Sequence, residues 1–427
     1  MSFNRSDNDG TEVVEGETGS QEPLDAFRLR ARAWLAEAMP PLPEGYTNQQ
    51  LARQDESGEL ARQLQRTLFE GGFAGICFPV AYGGLGLSRT HQRAFTRESL
   101  PYRMPTMFNV PTLTILAPTL LDFGTEEQKL RHIPAILRGD ELWVQFLSEP
   151  SGGSDLAGLV TRATRDGDVF VLNGSKIWSS GAFRSDYSMC LARTDWSVPK
   201  HRGLTMFILK IHQPGVEVRQ IKMSNRTAEF CQEFFDDVPI PVTDVVGEVN
   251  DGWTVASRLL FHERDAVGGG SPFASGAVVA AAGQGGRRSE LAELARATGQ
   301  GADPRIRQLV AEDRINERIQ GQLVERVTTG IRTGAFPPPA GALARLFAAT
   351  TSERRFDIGL EIAGAGIGAW MDGDATPLGE HYLQRQGTSL GGGSTEMQRN
   401  IISERVLGMP REFAADRDKP FDEVRHN

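Results

Sequence analysis

The 427-residue sequence predicts an α+β protein in which a block of short strands separates two blocks of helix. Three observations carry that reading. From Leu24 to about Arg138, apolar residues recur at helical spacing. From about Glu141, short runs rich in Val, Phe, Thr and Trp alternate with Gly, Asp and Ser turns. From Trp253 to about Leu407 the helical spacing returns. At about 100–200 residues per domain, the length suggests two or three structural units.

In the first helical block, the segment from Leu24 to Leu35 reads as a helix ended by Pro40, Pro41 and Pro43. A second helix is expected from Gly58 to Glu70, closed by Gly71-Gly72, and Phe78–Leu87 reads as a glycine-rich loop. Thr125, ahead of two glutamates, is expected to cap a further helix. The strands expected next are 142–147, 169–172, 187–192, 204–211, 216–221 and 229–238, forming a small β-barrel or sandwich, with Asn173-Gly174 as a turn. Residues 283–287 and 336–340 punctuate the last helical block, and no internal repeat is visible. The expected divisions are a disordered tail over 1–22, an N-terminal helical domain over 23–140, a middle β-domain over 141–247, C-terminal helices over 248–412 and a tail over 413–427.

Hydrophobic residues make up 39% of the chain and charged residues 24%, as in an ordinary soluble globular protein. The net charge of −9 and the lack of a dense Lys/Arg run argue against a nucleic-acid binder. Cys77, Cys190 and Cys231 are widely spaced and form no CxxC, which fits reduced thiols in a cytoplasmic protein. The seven histidines form no metal-binding spacing, so no metal is expected. The polar, acidic N-terminus has the features of neither a secretory signal nor a transit peptide. No apolar run approaches the ~18 residues of a membrane span.

Three blocks carry more specific information: Phe146–Gly158 (FLSEPSGGSDLAG), Leu172–Ala182 (LNGSKIWSSGA) and Gly393–Arg411 (GSTEMQRNIISERVLGMPR). In this order, together with Pro79…Tyr82-Gly83-Gly84 and Gly124–Lys129, they resemble the acyl-CoA dehydrogenase family over about Leu24–Arg411. The resemblance implies a helical N-terminal domain, a middle β-barrel domain and a C-terminal four-helix bundle. It implies FAD, an acyl-CoA substrate, an electron-transfer flavoprotein as electron acceptor, and an oligomer, either of identical chains or a heterotetramer with a related subunit. By resemblance, Leu147 and Ser148 meet the pyrimidine edge of the flavin, Gly153 and Ser154 meet its pyrophosphate, and Trp178, Ser179 and Ser180 line the ring. Ser394 and Glu396 match positions that touch FAD. Taken without the resemblance, Trp178 reads as a core residue and Ser151–Ser154 as a turn.

The sequence departs from the commonest pattern of the family at two places. Many members carry a catalytic Glu where this chain has Gly392. Leu259–Gly270 resembles instead the helix that carries the base in isovaleryl- and long-chain-type members, which makes Glu263 the expected base and Arg264 its active-site neighbour. His262 and Asp265 are the weaker candidates. The Gly392 N–H is expected to polarise the thioester carbonyl, and the glycine run to leave room for a bulky acyl group. The second departure is a missing Phe-Gly segment, for which Arg296 or Arg307 supplies the arginine. Together with the Gly-Gly-Ser/Thr ending, this is similar to subunits of heteromeric members, including those of steroid side-chain breakdown. Two alternatives stand beside the dehydrogenase reading: a flavin oxidase on the same fold, and a non-catalytic partner subunit. The final segment 399–411 is expected to form an amphipathic helix packed in the bundle.

Overall fold

The computed structural model describes residues 22–44, 46–55, 57–267, 271–276, 290–364 and 377–424. The expected disordered tail therefore lies outside the described residues except for Glu22, which pairs with Arg30 at 2.8 Å. The expected break at 283–287 lies outside them too.

The N-terminal block is helical: α1 (Leu24–Ala38), α2 (Asn48–Gln54), α3 (Glu59–Glu70), α4 (Arg89–Glu98), α5 (Thr106–Phe108), α6 (Ala117–Phe123) and α7 (Glu126–Arg138). Thr125 caps α7 reciprocally: its hydroxyl accepts the Gln128 N–H at 3.2 Å, and the Gln128 amide oxygen accepts the Thr125 N–H at 3.1 Å. Gln128 Nε2 then donates to the carbonyls of Thr243 and Val245 at 2.7 and 2.8 Å, so the cap also docks the helix on the sheet.

The middle block has β1 (Trp143–Phe146), β2 (Arg162–Asp166), β3 (Val169–Ser180), β4 (Tyr187–Arg193), β5 (Leu204–Lys210), β6 (Val216–Gln220), β7 (Phe230–Pro241) and β8 (Val245–Val246). They form one sheet in the order β6-β7-β3-β2-β4-β5-β8, with β1 added parallel to β4. β5 is buried along Leu204–Leu209, because both faces of the sheet are covered there. One face packs with the N-terminal helices and Leu259, the other closes around Phe146, Phe170, Phe207 and Phe235.

Asn173-Gly174 is not a turn. The hairpin turn falls at Gly167-Asp168, and Asn173-Gly174 lies inside β3, where the pairing with β7 slips between Leu172 and Gly174. Gly174, at φ +146°, passes within reach of Thr161, and a Cβ there would lie 2.7 Å from the Thr161 hydroxyl. The same glycine freedom serves a bulge here rather than a hairpin.

The C-terminal helices are α8 (Gly252–Val267), α9 (Glu290–Ala297), α10 (Pro304–Arg332), α11 (Gly341–Ala363), α12 (Pro377–Gln384) and α13 (Thr395–Ile401). α11 is central, with α9, α10, α12 and α13 packed on it, whereas α8 lies against α6 and β5. The last helix differs from expectation. It begins at Thr395, widens over Ile402–Val406 and stops at Gly408 (φ +68°), leaving Leu407 and Met409 exposed rather than packed. No described helix is long and apolar enough to cross a membrane.

Beyond Gly408 the chain returns to the sheet instead of trailing as a tail. Phe421 is buried under the Arg193 guanidinium, 3.4 Å from its ring centroid. The Phe421 and Asp422 N–H groups donate to the carbonyls of Val198 and Trp196, each at 3.0 Å. Lys200 bridges Asp155 and Asp416 at 3.0 Å. Burial lowers the Arg193 pKa to about 10, and its head donates to the carbonyls of Ala157, Leu159 and Lys200.

Candidate active site

Two neighbourhoods hold the residues singled out by sequence. The first is the end of β3. The β3–β7 ladder slips again between Ile177 and Ser179, and Trp178 sits in the slip at φ +69°. A bulky residue in that region is costly, of order 1–3 kcal/mol, and such strain concentrates at functional sites. The twist turns the indole out of the sheet. It is 52% exposed, held edge-on by Phe230 at 5.9 Å. Trp178 is therefore no core residue. It offers a broad apolar face with exposed Ser180 two residues on.

Ser179 points the other way. Its hydroxyl donates to the buried Glu233 carboxyl beneath this face. Burial pushes Glu233 up to about 8, with Ser179 and Lys176 opposing. Of the three expected ring-lining side chains, the structure presents Trp178 and Ser180 outward and places the Ser179 hydroxyl underneath.

The 147–154 segment lies alongside. The Ser148 carbonyl accepts the Ile177 N–H at 3.0 Å, fastening the segment to the strand that carries Trp178. The Leu147 side chain is in the core, so only its backbone faces this edge, and its carbonyl takes the Lys176 ammonium at 2.9 Å. Lys176 also donates to Glu149 at 2.9 Å, and Glu149 accepts the N–H groups of Val160 and Thr161 at 2.7 and 2.9 Å. Burial alone would raise the Glu149 carboxyl. The Lys176 charge and these donors outweigh it and hold the group below the usual carboxylate range. Gly153 and Ser154 are exposed, and a Cβ on Gly153 would press on the Ser148 hydroxyl at 3.1 Å.

The second neighbourhood is where α8 meets the glycine turn before α13. Glu263, half-buried on α8, accepts through Oε2 from Gln145 Nε2 of β1 at 2.9 Å. Its Oε1 lies 3.6 Å from the point a Cβ on Gly392 would occupy. Gly392 and Gly393 have φ of +70° and +91°, which only glycine adopts freely. Arg345 of α11 donates to the carbonyls of Thr388, at 2.7 Å, and Gly391. Gln398 Nε2 donates to those of Gly392 and Gly393, each at 3.2 Å. Sequence reasoning missed Gln145, Arg345 and Gln398. The polar Gln145 within the apolar run Trp143-Val-Gln-Phe was the one available signal.

The other candidates fall differently. His262 is committed to Asp122 at 2.8 Å, beside Arg258 at 2.6 Å, and this cluster pins α8 to α6. Asp265 is half-buried, its pKa raised by burial against the Arg89 charge. Arg264 is exposed. It stands beside the Glu263 charge. Ser394 caps α13, accepting the Met397 N–H at 3.3 Å, and Glu396 is exposed in the first turn. Arg296 and Arg307 are exposed on α9 and α10, which pack against α11 and each other.

Sequence profiles of three domains match in order: acyl-CoA dehydrogenase N-terminal domain over residues 21–140, middle domain over 145–238 and C-terminal domain over 250–407. The chain belongs to the acyl-CoA dehydrogenase family. It is an enzyme of the oxidoreductase class. Acyl-CoA dehydrogenase IpdE1 of Mycobacterium tuberculosis is 34% identical over 394 residues, covering 92% of this chain and 99% of that protein. The enzyme of the same name from Mycolicibacterium smegmatis is 33% identical, covering 91% and 98%. Among solved structures, the Tcur3481-Tcur3483 steroid ACAD superposes with a TM-score of 0.71 at 27% identity, covering 92% of this chain and 99% of that one. The fold is shared with the ChsE4-ChsE5 complex from Mycobacterium tuberculosis, at a TM-score of 0.67 and 23% identity.

Proposed function

We propose that this acyl-CoA dehydrogenase desaturates a bulky acyl-CoA thioester between its α and β carbons, with Glu263 as the base and FAD as the electron acceptor. The observation that carries the reading is the Glu263 carboxylate, anchored through one oxygen by Gln145 and facing the Gly392 turn with the other.

The residues present fit FAD. Trp178 supplies an exposed apolar wall under backbone strain, Ser180 an exposed hydroxyl beside it, and Gly153 and Ser154 a segment on which a pyrophosphate can lie closely. When bound, FAD supplies a two-electron acceptor for the β-hydrogen. The protein supplies the rest. Gln145 holds Oε2, so Oε1 is the atom that takes the α-proton. The Gly392 N–H has no acceptor among the described residues, and it donates to the thioester carbonyl, which acidifies the α-carbon.

Glycine at 391–393 keeps side-chain bulk away from Glu263, which suits a large acyl group, and the likeness to a steroid ACAD points to a steroid side chain as its class. The chain serves as the base-supplying subunit of an assembly, with electrons leaving to an electron-transfer flavoprotein. The exposed Arg296 and the missing Phe-Gly segment motivate a related partner that completes the cofactor site.

The test is the visible absorbance of the purified protein, without oxygen, on adding butyryl-, octanoyl-, isovaleryl- and steroid-side-chain CoA thioesters. Flavin bands should bleach fastest with the steroid thioester and hardly at all in Glu263→Gln. Full-rate bleaching in Glu263→Gln would remove the proposed base. A colourless chain that turns yellow and active only with a co-purifying related chain would support the partnered form. One FAD per lone protomer with full activity would exclude it.

A further inference from the structure

We infer that Arg345 is a positioning residue that aims and strengthens the Gly392 N–H, an inference that rests on the reading of the site given above. A trans peptide points its C=O and N–H in opposite directions. The carbonyl of Gly391 and the N–H of Gly392 belong to one peptide, so whatever holds that carbonyl fixes where the N–H points. Arg345 holds it, and with the same nitrogen holds the Thr388 carbonyl at 2.7 Å.

Gln398 fixes the next two carbonyls. Every carbonyl from Gly391 to Gly393 is thus tied by a side chain on the bundle side, although two positive-φ glycines would otherwise leave the turn loose.

A cationic donor on a carbonyl also polarises its amide, making the N–H on the far side a stronger donor. The arrangement converges on one point: Arg345 Nε and Glu263 Oε1 each lie 3.6 Å from the Cβ position of Gly392. The Arg345 Nε is buried and finds no partner among the described residues, so the head is placed by its bonds to the turn. Lysine, a point charge on a flexible stem, keeps the charge but holds its nitrogen between the two carbonyls less rigidly than the planar guanidinium does.

The experiment compares wild type, Arg345→Lys, Arg345→Gln and Glu263→Gln, each as purified with any co-purifying subunit. The probe is whichever thioester of the panel bleaches the wild-type flavin fastest, isotope-labelled at its carbonyl. Infrared difference spectra should show the bound carbonyl stretch at lower frequency than in water for wild type. The lowering should be largely lost in Arg345→Gln and part-retained in Arg345→Lys. Turnover should fall about 10–100-fold in Arg345→Gln with KM nearly unchanged, the pattern of a weakened oxyanion donor. Unfolding temperature and flavin content should stay at wild-type values. A carbonyl band and turnover in Arg345→Gln equal to those of wild type, with Glu263→Gln inactive, would overturn the role of Arg345 alone. Activity surviving in Glu263→Gln would overturn the reading of the site. Loss of flavin or of folding in step with activity, in both Arg345 variants, would make Arg345 merely structural.

Discussion

The face around Trp178 and the edge around Glu263 are built by opposite strategies. The first is assembled from one sheet. Lys176, Glu149, Thr161 and Ser148 all lie within a few dozen residues of Trp178, and each buried charge meets its partner inside the same domain. The second draws single residues from β1, α8, α11, α13 and a glycine turn, so that Gln145 and Glu263 meet across 118 positions of sequence. A locally built face can hold strain such as the positive φ of Trp178. A edge gathered from five elements depends on every element keeping its place.

The sharpest way to break the comparison is at Glu263. Removing the proposed base by Glu263→Gln should slow flavin bleaching by about a hundred- to ten-thousand-fold while leaving the unfolding midpoint in place. The sheet responds in the other currency, stability. Lys176→Met strands the Glu149 carboxylate in a buried site and should cost about 3–5 kcal/mol in urea unfolding. Adding Glu149→Gln should recover part of that loss. Phe421→Ala, which empties a fully buried ring site beneath Arg193, should cost about 3 kcal/mol by the same measurement.

A pH series probes the floor beneath Trp178. Glu233 is raised to about 8 by burial, well above its unfolded value. The folded state thus binds the extra proton between the two values. Its contribution is fully present below the unfolded value and is lost as pH rises through about 8. Wild-type stability should fall from mildly acidic pH toward pH 8–9, and Glu233→Gln should flatten that slope. The smallest stability change is expected at Trp178 itself. Trp178→Ala should leave the unfolding of flavin-free protein within about 0.5 kcal/mol, since the side chain is largely exposed. The same variant should release its flavin more readily on gel filtration. A large stability loss in flavin-free Trp178→Ala would mean that the indole is part of the core.

Local rules account for what the sequence revealed. The Thr125 cap, the stop of α1 before Pro40 and the apolar run of β5 each follow from a few adjacent residues. β2 was invisible because Arg-Ala-Thr-Arg-Asp buries only Ala163 and lacks alternation. Asn173-Gly174 misled because a bulge and a turn ask the same conformational freedom of glycine, and only the pairing with β7 decides between them. Family resemblance picked out Glu263 and Gly392 as candidates, and the structure brings them side by side, but Arg345 and Gln398 gave no signal, since nothing in a helix sequence shows which carbonyl a long side chain will reach. His262, the weaker candidate beside Glu263, is set aside by the structure, which commits it to Asp122.

The returning C-terminal segment changes the mechanics of the whole chain. The polypeptide leaves the sheet at Val246 and is fastened again, by Phe421 to Arg193 of β4 and by Asp416 and Asp422 to the loop between β4 and β5. The helices between are therefore an excursion anchored at both ends, and closing such a loop removes most of the arrangements in which they could swing away. A pull on the chain end is met at Val198, in the loop between β4 and β5, as well as at α13. Because Lys200 joins Asp416 to Asp155, slack at that end is felt first beside Ser154, at the rim of the proposed pyrophosphate segment.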